Sequence, residues 1–481
     1  MKIKLNKKNI ADKIYGCWIG KNIGGTMGGP YEGKKEINDI SGFTSPKGEP
    51  LPNDDLDLQL VWLKAMETVG PKDVTANVLA EYWLCYVSPH WSEYGIGKSN
   101  INMGLLPPLC GEFNNIWKNS NGAWIRSEIW ACLAPGIPNI AVKYAVMDAS
   151  VDHGLAEGTY AEMFTASLES MAFFESDIRV LVEKALTFIP ETCRVARAVR
   201  LVLASFDKGL PWQETRELIV EDSKDLGWFQ APGNIAFVVL GLLYGGGDFK
   251  QTLIHTINCG DDTDCTGATV GSILGIINGA SQIPEDWKEY IGDRIITVCI
   301  NKGSHHTVPD TCAELTQRVV DALPKVMNAY NIDLEFVDGE SEINSEEASE
   351  ILKGYVEEIF ARSPYSFEVP DLLHTSTVVE YEKEPQVKPG DTFKVKVTLK
   401  NIGHDPRHFE VNVYLPEGWT AEYNRTCYLH HENRGDEPPA VDSWEMTITV
   451  GEITAPINRI PVMFSSPAHA LPIMIPIVLL G

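Results

Sequence analysis

The spacing of apolar residues divides the chain in two. From about residue 73 to 330, apolar positions recur at the 3.6-residue period over 74–87, 156–174, 177–188, 191–206, 212–221 and 233–244. Alternating segments are scarce there, so an all-α domain is predicted over residues 1–330. Residues 9–20 add a helix rich in small residues, which leads into a glycine-rich loop at 24–33. Leu56, Leu60, Leu63 and Met66 mark one face of another helix, started by Pro52 and the N-cap candidate Asn53. Beyond 330 the period changes. An acidic linker with a short amphipathic helix at 348–361 is expected over 331–369. Alternation and β-branched residues then mark strands at 375–381, 392–401, 408–415, 443–450 and 457–464, with turn signals such as Lys388-Pro389-Gly390-Asp391 between them. An antiparallel β-sandwich of immunoglobulin-like form is predicted for 370–481.

One segment departs from simple amphipathicity. Asp261, Asp262 and Asp264 fall within four positions, directly before a run in which Gly267, Gly271, Gly275 and Gly279 recur every four residues. Those glycines share one helical stripe and let another backbone approach closely, while Val270, Ile273, Leu274, Ile276 and Ile277 fill the other faces. A buried helix with an acidic N-terminus carries a cost, since two unit charges ~4 Å apart repel by about 4 kcal/mol at an effective dielectric near 20. The helix dipole offsets about 1 kcal/mol of that. A divalent cation would offset the rest; the bland alternative is an over-provisioned cap on a surface helix. Asp54 and Asp55 repeat the pattern on the helix after Pro52, more than 200 residues upstream. Two such clusters suggest one shared site, and oxygen donors without histidine suit Mg²⁺, Mn²⁺ or Ca²⁺ rather than zinc.

Composition narrows the functional classes. Lys and Arg total 40 against 66 Asp and Glu, a formal charge of −26. Such a surface repels phosphate backbones and anionic lipid, which argues against nucleic-acid or membrane-surface binding. The ten cysteines are scattered without a C-x-x-C pair and read as reduced thiols of a cytoplasmic protein. The basic N-terminus leads into no apolar run, so no signal peptide is expected. The longest apolar candidate for a membrane span, 471–480, is too short and contains Pro472 and Pro476.

Several loops carry further candidates. Glu32 stands between Pro30 and Gly33, where a rigid turn can aim it into a cleft; an ordinary exposed turn glutamate is the alternative. The loop at 24–33 has neither Walker nor Rossmann spacing, so it is a weak phosphate signal. Residues 119–136 combine Asn121, Gly122 and Arg126 with Trp124, a flat surface for stacking. Asp152-His153-Gly154 precedes the helix of 156–174, and a lone histidine there is most often a cap or surface residue.

Taken together, these segments resemble the ADP-ribosylglycohydrolases over about residues 9–300. Gly260-Asp261-Asp262-Thr263-Asp264-Cys265 is similar to the family's late Gly-Gly-Asp-Thr-Asp-Thr motif, and Asn53-Asp54-Asp55 to its early (Ser/Thr)-Asp-Asp motif. Asn121-Gly122-Ala123 to Arg126, Asp152-His153 and the Gly28–Glu32 turn resemble three others, in the same order. The resemblance implies an all-α fold holding two Mg²⁺ or Mn²⁺ ions, and metal-assisted hydrolysis, by an activated water, of an N- or O-glycosidic bond to ADP-ribose. It implies Asn53, through its amide oxygen, Asp54, Asp55, Asp262 and Asp264 as metal ligands, with Cys265 in the place of a further one. It further implies Glu32, Asp55 and Asp262 as catalytic groups, and Asn121, Gly122 and His153 as lining an ADP-ribose cleft. The substrate would be an ADP-ribose-containing small molecule or an ADP-ribosylated macromolecule. Cys265 departs from the family's threonine and is a soft donor for a hard ion. A non-catalytic ADP-ribose or nucleotide binder on the same fold, or a hydrolase of another glycoside, are the alternatives. The C-terminal part looks like sandwich modules appended to many bacterial enzymes, for packing, dimerisation or substrate recognition.

Overall fold

The computed structural model describes residues 1–301, 307–369, 375–403, 406–430, 440–467 and 469–481. They form two compact units, one of residues 1–95 and 116–361, the other of 96–115 and 362–481. The division therefore differs from a single break near 330. Residues 331–361 stay with the helical unit, and 96–115 group with the strands.

The helical unit is built on two helices, Lys7–Gly28 and Thr263–Asn278. Their glycines face each other. A Cβ on Gly20 would collide with the Gly271 carbonyl, one on Gly24 with that of Gly267, and one on Gly28 with that of Thr263. This contact explains the four-residue stripe, except that Gly279 is the helix C-cap, at φ +79°. It also corrects the expected glycine loop at 24–33. The helix continues through Gly28 and only a short 3₁₀ turn, Gly29–Tyr31, follows. Each interior glycine costs about 1 kcal/mol of helix propensity, and backbone burial against the partner helix offsets it. The amides that a phosphate-cradling loop would need are thus committed to helix, in keeping with the weak phosphate signal.

The helices read from periodicity are present, among them Asp54–Val69, Glu157–Ala172, Arg194–Asp207, Trp212–Ser223 and Ala231–Tyr244. The unit is not purely helical: Lys2–Asn6 pairs in parallel with Asp333–Val337. Two short helices, Ser345–Glu350 and Tyr355–Phe360, replace the single one expected at 348–361, because Gly354 turns left-handed between them.

The second unit contains two antiparallel sheets. One runs Ser366–Val369, Thr375–Tyr381, Thr392–Asn401, Val441–Thr449, Thr420–Tyr423. The other runs Ile473–Leu480, Ile457–Ser465, Arg407–Val413, Thr426–Leu429. Alternate residues point inward, as Phe393, Val395, Val397 and Leu399 do, and meet Phe409, Phe464 and Ile475 of the other sheet in one core. Leu105, Leu109 and Phe113 join that core, which explains why their segment belongs here. Most of the apolar stretch at 471–480 is the strand Ile473–Leu480, and no helix among the described residues is long and apolar enough to cross a membrane.

Candidate active site

The helix starts carry the chemistry. Asn53 caps its helix by accepting the Asp55 amide at 2.7 Å, which leaves the Asp54 and Asp55 side chains outside the capping role. At the other helix, Asp262 occupies the N-cap position but its side chain caps nothing. Asn121 Nδ2 instead donates to Asp262 Oδ2 at 2.7 Å, and Trp124 Nε1 fixes Asn121 through its Oδ1 at 3.0 Å. The over-provisioned cap is thereby set aside for both aspartates.

Five carboxylates converge from three distant segments. Ligand atoms of Asp55, Asp264 and Cys265 lie within 4.8 Å of one another, as do those of Glu32, Asp262 and Asp264. Asp264 is common to both groups. Asp54 joins them electrostatically and accepts a hydrogen bond from the Tyr94 hydroxyl at 3.0 Å. Glu32 is brought in by a backbone exchange in which the Gly33 amide donates to the Asp261 carbonyl at 2.8 Å and the Asp261 amide to the Lys34 carbonyl at 2.7 Å.

Crowding raises the proton affinity of the cluster. Asp264 first, then burial and Asp54, push Glu32 up to about 7. Burial, then Asp264, pushes Asp54 up to about 6. Burial also places Asp55 and Asp262 well above the usual carboxylate range, with Asp264 adding to both. One cation opposes this from below. Lys21, fully buried, bonds Glu128 Oε1 at 2.7 Å and the Ile125 carbonyl at 2.8 Å. Burial alone would lower its pKa, but Glu128 and Asp55 outweigh that and raise it.

The donor set fits a hard divalent cation. Asp55 Oδ2, Asp262 Oδ1 and Asp264 Oδ1 are buried and have no hydrogen-bond partner among the described residues, an arrangement that costs several kcal/mol per ion unless a charge compensates it. Cys265 fits less well. Burial holds its thiol well above its ordinary pKa, and Sγ donates to Asp55 Oδ1 at 3.4 Å rather than offering a free thiolate.

The cluster opens into a cavity of about 490 Å³, whose lining includes Glu32, Asp54, Asn121, Gly122, Asp262 and Asp264. A Cβ at Gly122 would strike the Glu93 carboxylate and displace it. His153 is placed elsewhere. It is fully buried behind the wall, with Nε2 3.2 Å from Ser120 Oγ and Nδ1 2.9 Å from Asp152 Oδ1. Arg126 holds the same wall through Asp148 at 2.9 Å, Asp152 at 2.8 Å and the Gly122 carbonyl. Trp124, expected to stack on a ligand, is fully buried.

Sequence reasoning missed Trp91, Glu93, Tyr94, Trp117 and Phe229, which also line the cavity. A signal existed for none of the aromatics. Ser92, Phe229 and Asp261 do adopt left-handed backbone at φ +36°, +56° and +65° without being glycine, a strain that concentrates at functional sites.

Comparison with known proteins bears on this geometry. A family model described as ADP-ribosylglycohydrolase matches residues 6–323. A solved structure titled an ADP-ribosylglycohydrolase-related protein complex is similar at 19% identity and a TM-score of 0.45, covering 66% of this chain and all of that one. A FixG-related protein from Vibrio parahaemolyticus is similar at 9% identity and a TM-score of 0.19, covering 23% of this chain and 98% of that one. Comparison with curated proteins gave no match.

Proposed function

The chain belongs to the ADP-ribosylglycohydrolase family, and from that premise we propose that it hydrolyses an N- or O-glycosidic bond to ADP-ribose or a related ribosyl group with the help of one or two Mg²⁺ or Mn²⁺ ions. The observation that carries the reading is the set of unpartnered carboxylate oxygens, drawn from segments 200 residues apart into one cluster at the cavity. Asp54, Asp55, Asp262 and Asp264 would hold the cation, with Glu32 at its edge. A divalent cation so held supplies Lewis-acid charge beside the sugar and lowers the pKa of water near it.

The chain's own residues then have separate tasks. Glu32, poised near neutral pH, takes the proton of the attacking water or returns it to the leaving atom. Asn121 keeps Asp262 in one orientation, and Tyr94 does the same for Asp54. Trp91, Trp117 and Phe229 give the cavity flat apolar walls for the nucleoside part and exclude water from the reacting centre. The substrate is an ADP-ribose-containing small molecule or an ADP-ribosylated macromolecule, and the protein works in the cytoplasm.

A second reading is favoured by the bond from Cys265 to Asp55: one cation place is weakened and the chain binds ADP-ribose without turnover. Incubation with ADP-ribosylated arginine, serine and small-molecule acceptors, with chromatography of released ADP-ribose, separates the two. Release that stops in EDTA supports hydrolysis. Tight ADP-ribose binding with no release from any acceptor replaces it with the binding role, and release from carbohydrate glycosides alone moves the substrate class.

A further inference from the structure

A second cavity, of about 160 Å³, lies behind the cleft wall. Its polar lining is cationic on a chain of charge −26: Lys35, Arg216 and Lys224 face a single carboxylate, Asp261. Arg216 is only 5% exposed, so its guanidinium is built into the wall rather than waving over it. Nε donates to the Cys259 carbonyl at 3.0 Å, Nη1 to Glu217 at 2.7 Å and Nη2 to the Lys35 carbonyl. Two of its five N–H groups remain. Lys224 is tied to nothing stronger than the exposed Glu221, a pair worth little in water.

Two further donors line the same space. Ser223 Oγ is buried without a hydrogen-bond partner among the described residues. Gly233 lies in the first turn of the helix Ala231–Tyr244, beside Pro232, where amides have no intrahelical acceptor and the dipole favours negative charge. The volume equals that of about five waters, room for one phosphate group with a small substituent against Ile219 and Phe237.

We infer that this cavity is a regulatory site for a small phosphate-class anion, free phosphate or a phosphoester, back to back with the catalytic cleft. The two cavities share their dividing segments. Gly227 and Gln230 line the second cavity while Phe229 lines the first; Asp261 lines the second while Asp262 lines the first. The Phe229 amide donates to Asp261 Oδ1 at 3.1 Å, joining the two segments, and both residues hold left-handed backbone. The segment of residues 33–35, which directly follows Glu32, is fastened to the same place through Asp261 and Arg216. An anion that draws Lys35 and Arg216 toward itself competes with the Asp261 carboxylate and the Lys35 carbonyl. It thereby shifts the segments that present Glu32 and Asp262, and lowers turnover without occupying the cleft.

The binding test needs no turnover and so stands apart from the hydrolase reading; only the kinetic arm rests on that reading. Calorimetric titration of the full chain with inorganic phosphate in EDTA, where the acidic cleft has no cation to offer, is expected to show one phosphate per chain. Lys224→Glu, on the surface, and Ser223→Asp should each weaken it at least tenfold, and Trp117→Ala, in the cleft, should leave it unchanged. No binding, or binding lost in Trp117→Ala and kept in the other two, overturns the site. With substrate and divalent ion present, phosphate should reduce kcat several-fold at constant KM in the wild type and not in Lys224→Glu. Unchanged kcat with phosphate bound overturns the regulatory role.

Discussion

The two units bury different things. The helical unit encloses Asp55, Asp57, Glu93, Glu128, Asp148, Asp152, Glu162, Glu169 and Asp262, while the strand-rich unit buries no carboxylate among its described residues. Its core is aliphatic and aromatic, relieved by a few neutral groups such as Thr377 and Asn458, with Lys98 and Arg407 the charged exceptions. An apolar core needs only volume and alternation. A buried charge needs partners, and where one oxygen is left without any, as at Asp55 and Asp262, it points to something outside the chain. Where the partner is present, as for Arg126 between Asp148 and Asp152, the charges brace a wall. The contrast separates a unit made for chemistry from one made for shape.

Asp262→Ala breaks the contrast most sharply. It should cut turnover about a thousandfold, some 4 kcal/mol at about 1.4 kcal/mol per tenfold, and abolish calorimetric binding of Mn²⁺. The melting temperature without metal should hold or rise, because a repelling buried carboxylate has gone. Full activity in this variant removes the mechanism. In the other unit, Phe409→Ala empties a core position and should cost about 3–5 kcal/mol by denaturant unfolding. Activity per folded molecule should stay at the wild-type level; a fall in kcat would show that the strands serve the chemistry after all. Gly271→Val drives a side chain into the Gly20 carbonyl, with an expected loss of about 3 kcal/mol. Unlike the core variant, it should weaken metal binding as well.

The smallest effect is a pH dependence. Glu32 and Asp54 have folded-state values of about 7 and about 6, above the ordinary values of about 4. The folded chain therefore holds more protons than the unfolded one across this interval, and metal-free stability falls as pH rises from about 4 through about 7. The drop is a few degrees in melting temperature, on a scale of about 2–4 °C per kcal/mol. Saturating Mn²⁺ should flatten it, and a stability that rises with pH instead would contradict the crowding of the carboxylates.

How much of this could be read from the chain follows the same division. Alternation located the strands because each inward residue has a local signature, as in 392–401. The paired aspartates were legible because adjacent charges before an apolar, glycine-striped helix contradict its burial. What escaped depends on contacts distant in sequence. The parallel pairing of Lys2–Asn6 with Asp333–Val337 joins opposite ends of the unit, and five-residue segments carry little register information of their own. Residues 96–115 fall within the stretch read as all-α, with nothing local to announce that Leu109 and Phe113 would complete a β core. Glu93 and Trp117 look like surface residues until Gly122 and Ser120 are folded beside them. His153 was legible as a polar residue at a helix boundary, but its place behind Ser120 depends on the buried Arg126 network.

The facing glycines of Lys7–Gly28 and Thr263–Asn278 act as a calliper for the catalytic distance. Helices that meet through side chains can slide by exchanging rotamers, whereas here carbonyl rests against α-carbon and no rotamer exists to exchange. The last contact, Gly28 against Thr263, lies next to Asp264 and one short turn before Glu32, and the Thr263 hydroxyl locks it at 2.8 Å on the Gly28 carbonyl. The spacing between those two carboxylates is thus inherited from the thickness of a bare polypeptide backbone, so the site holds its gauge whatever the surrounding side chains become.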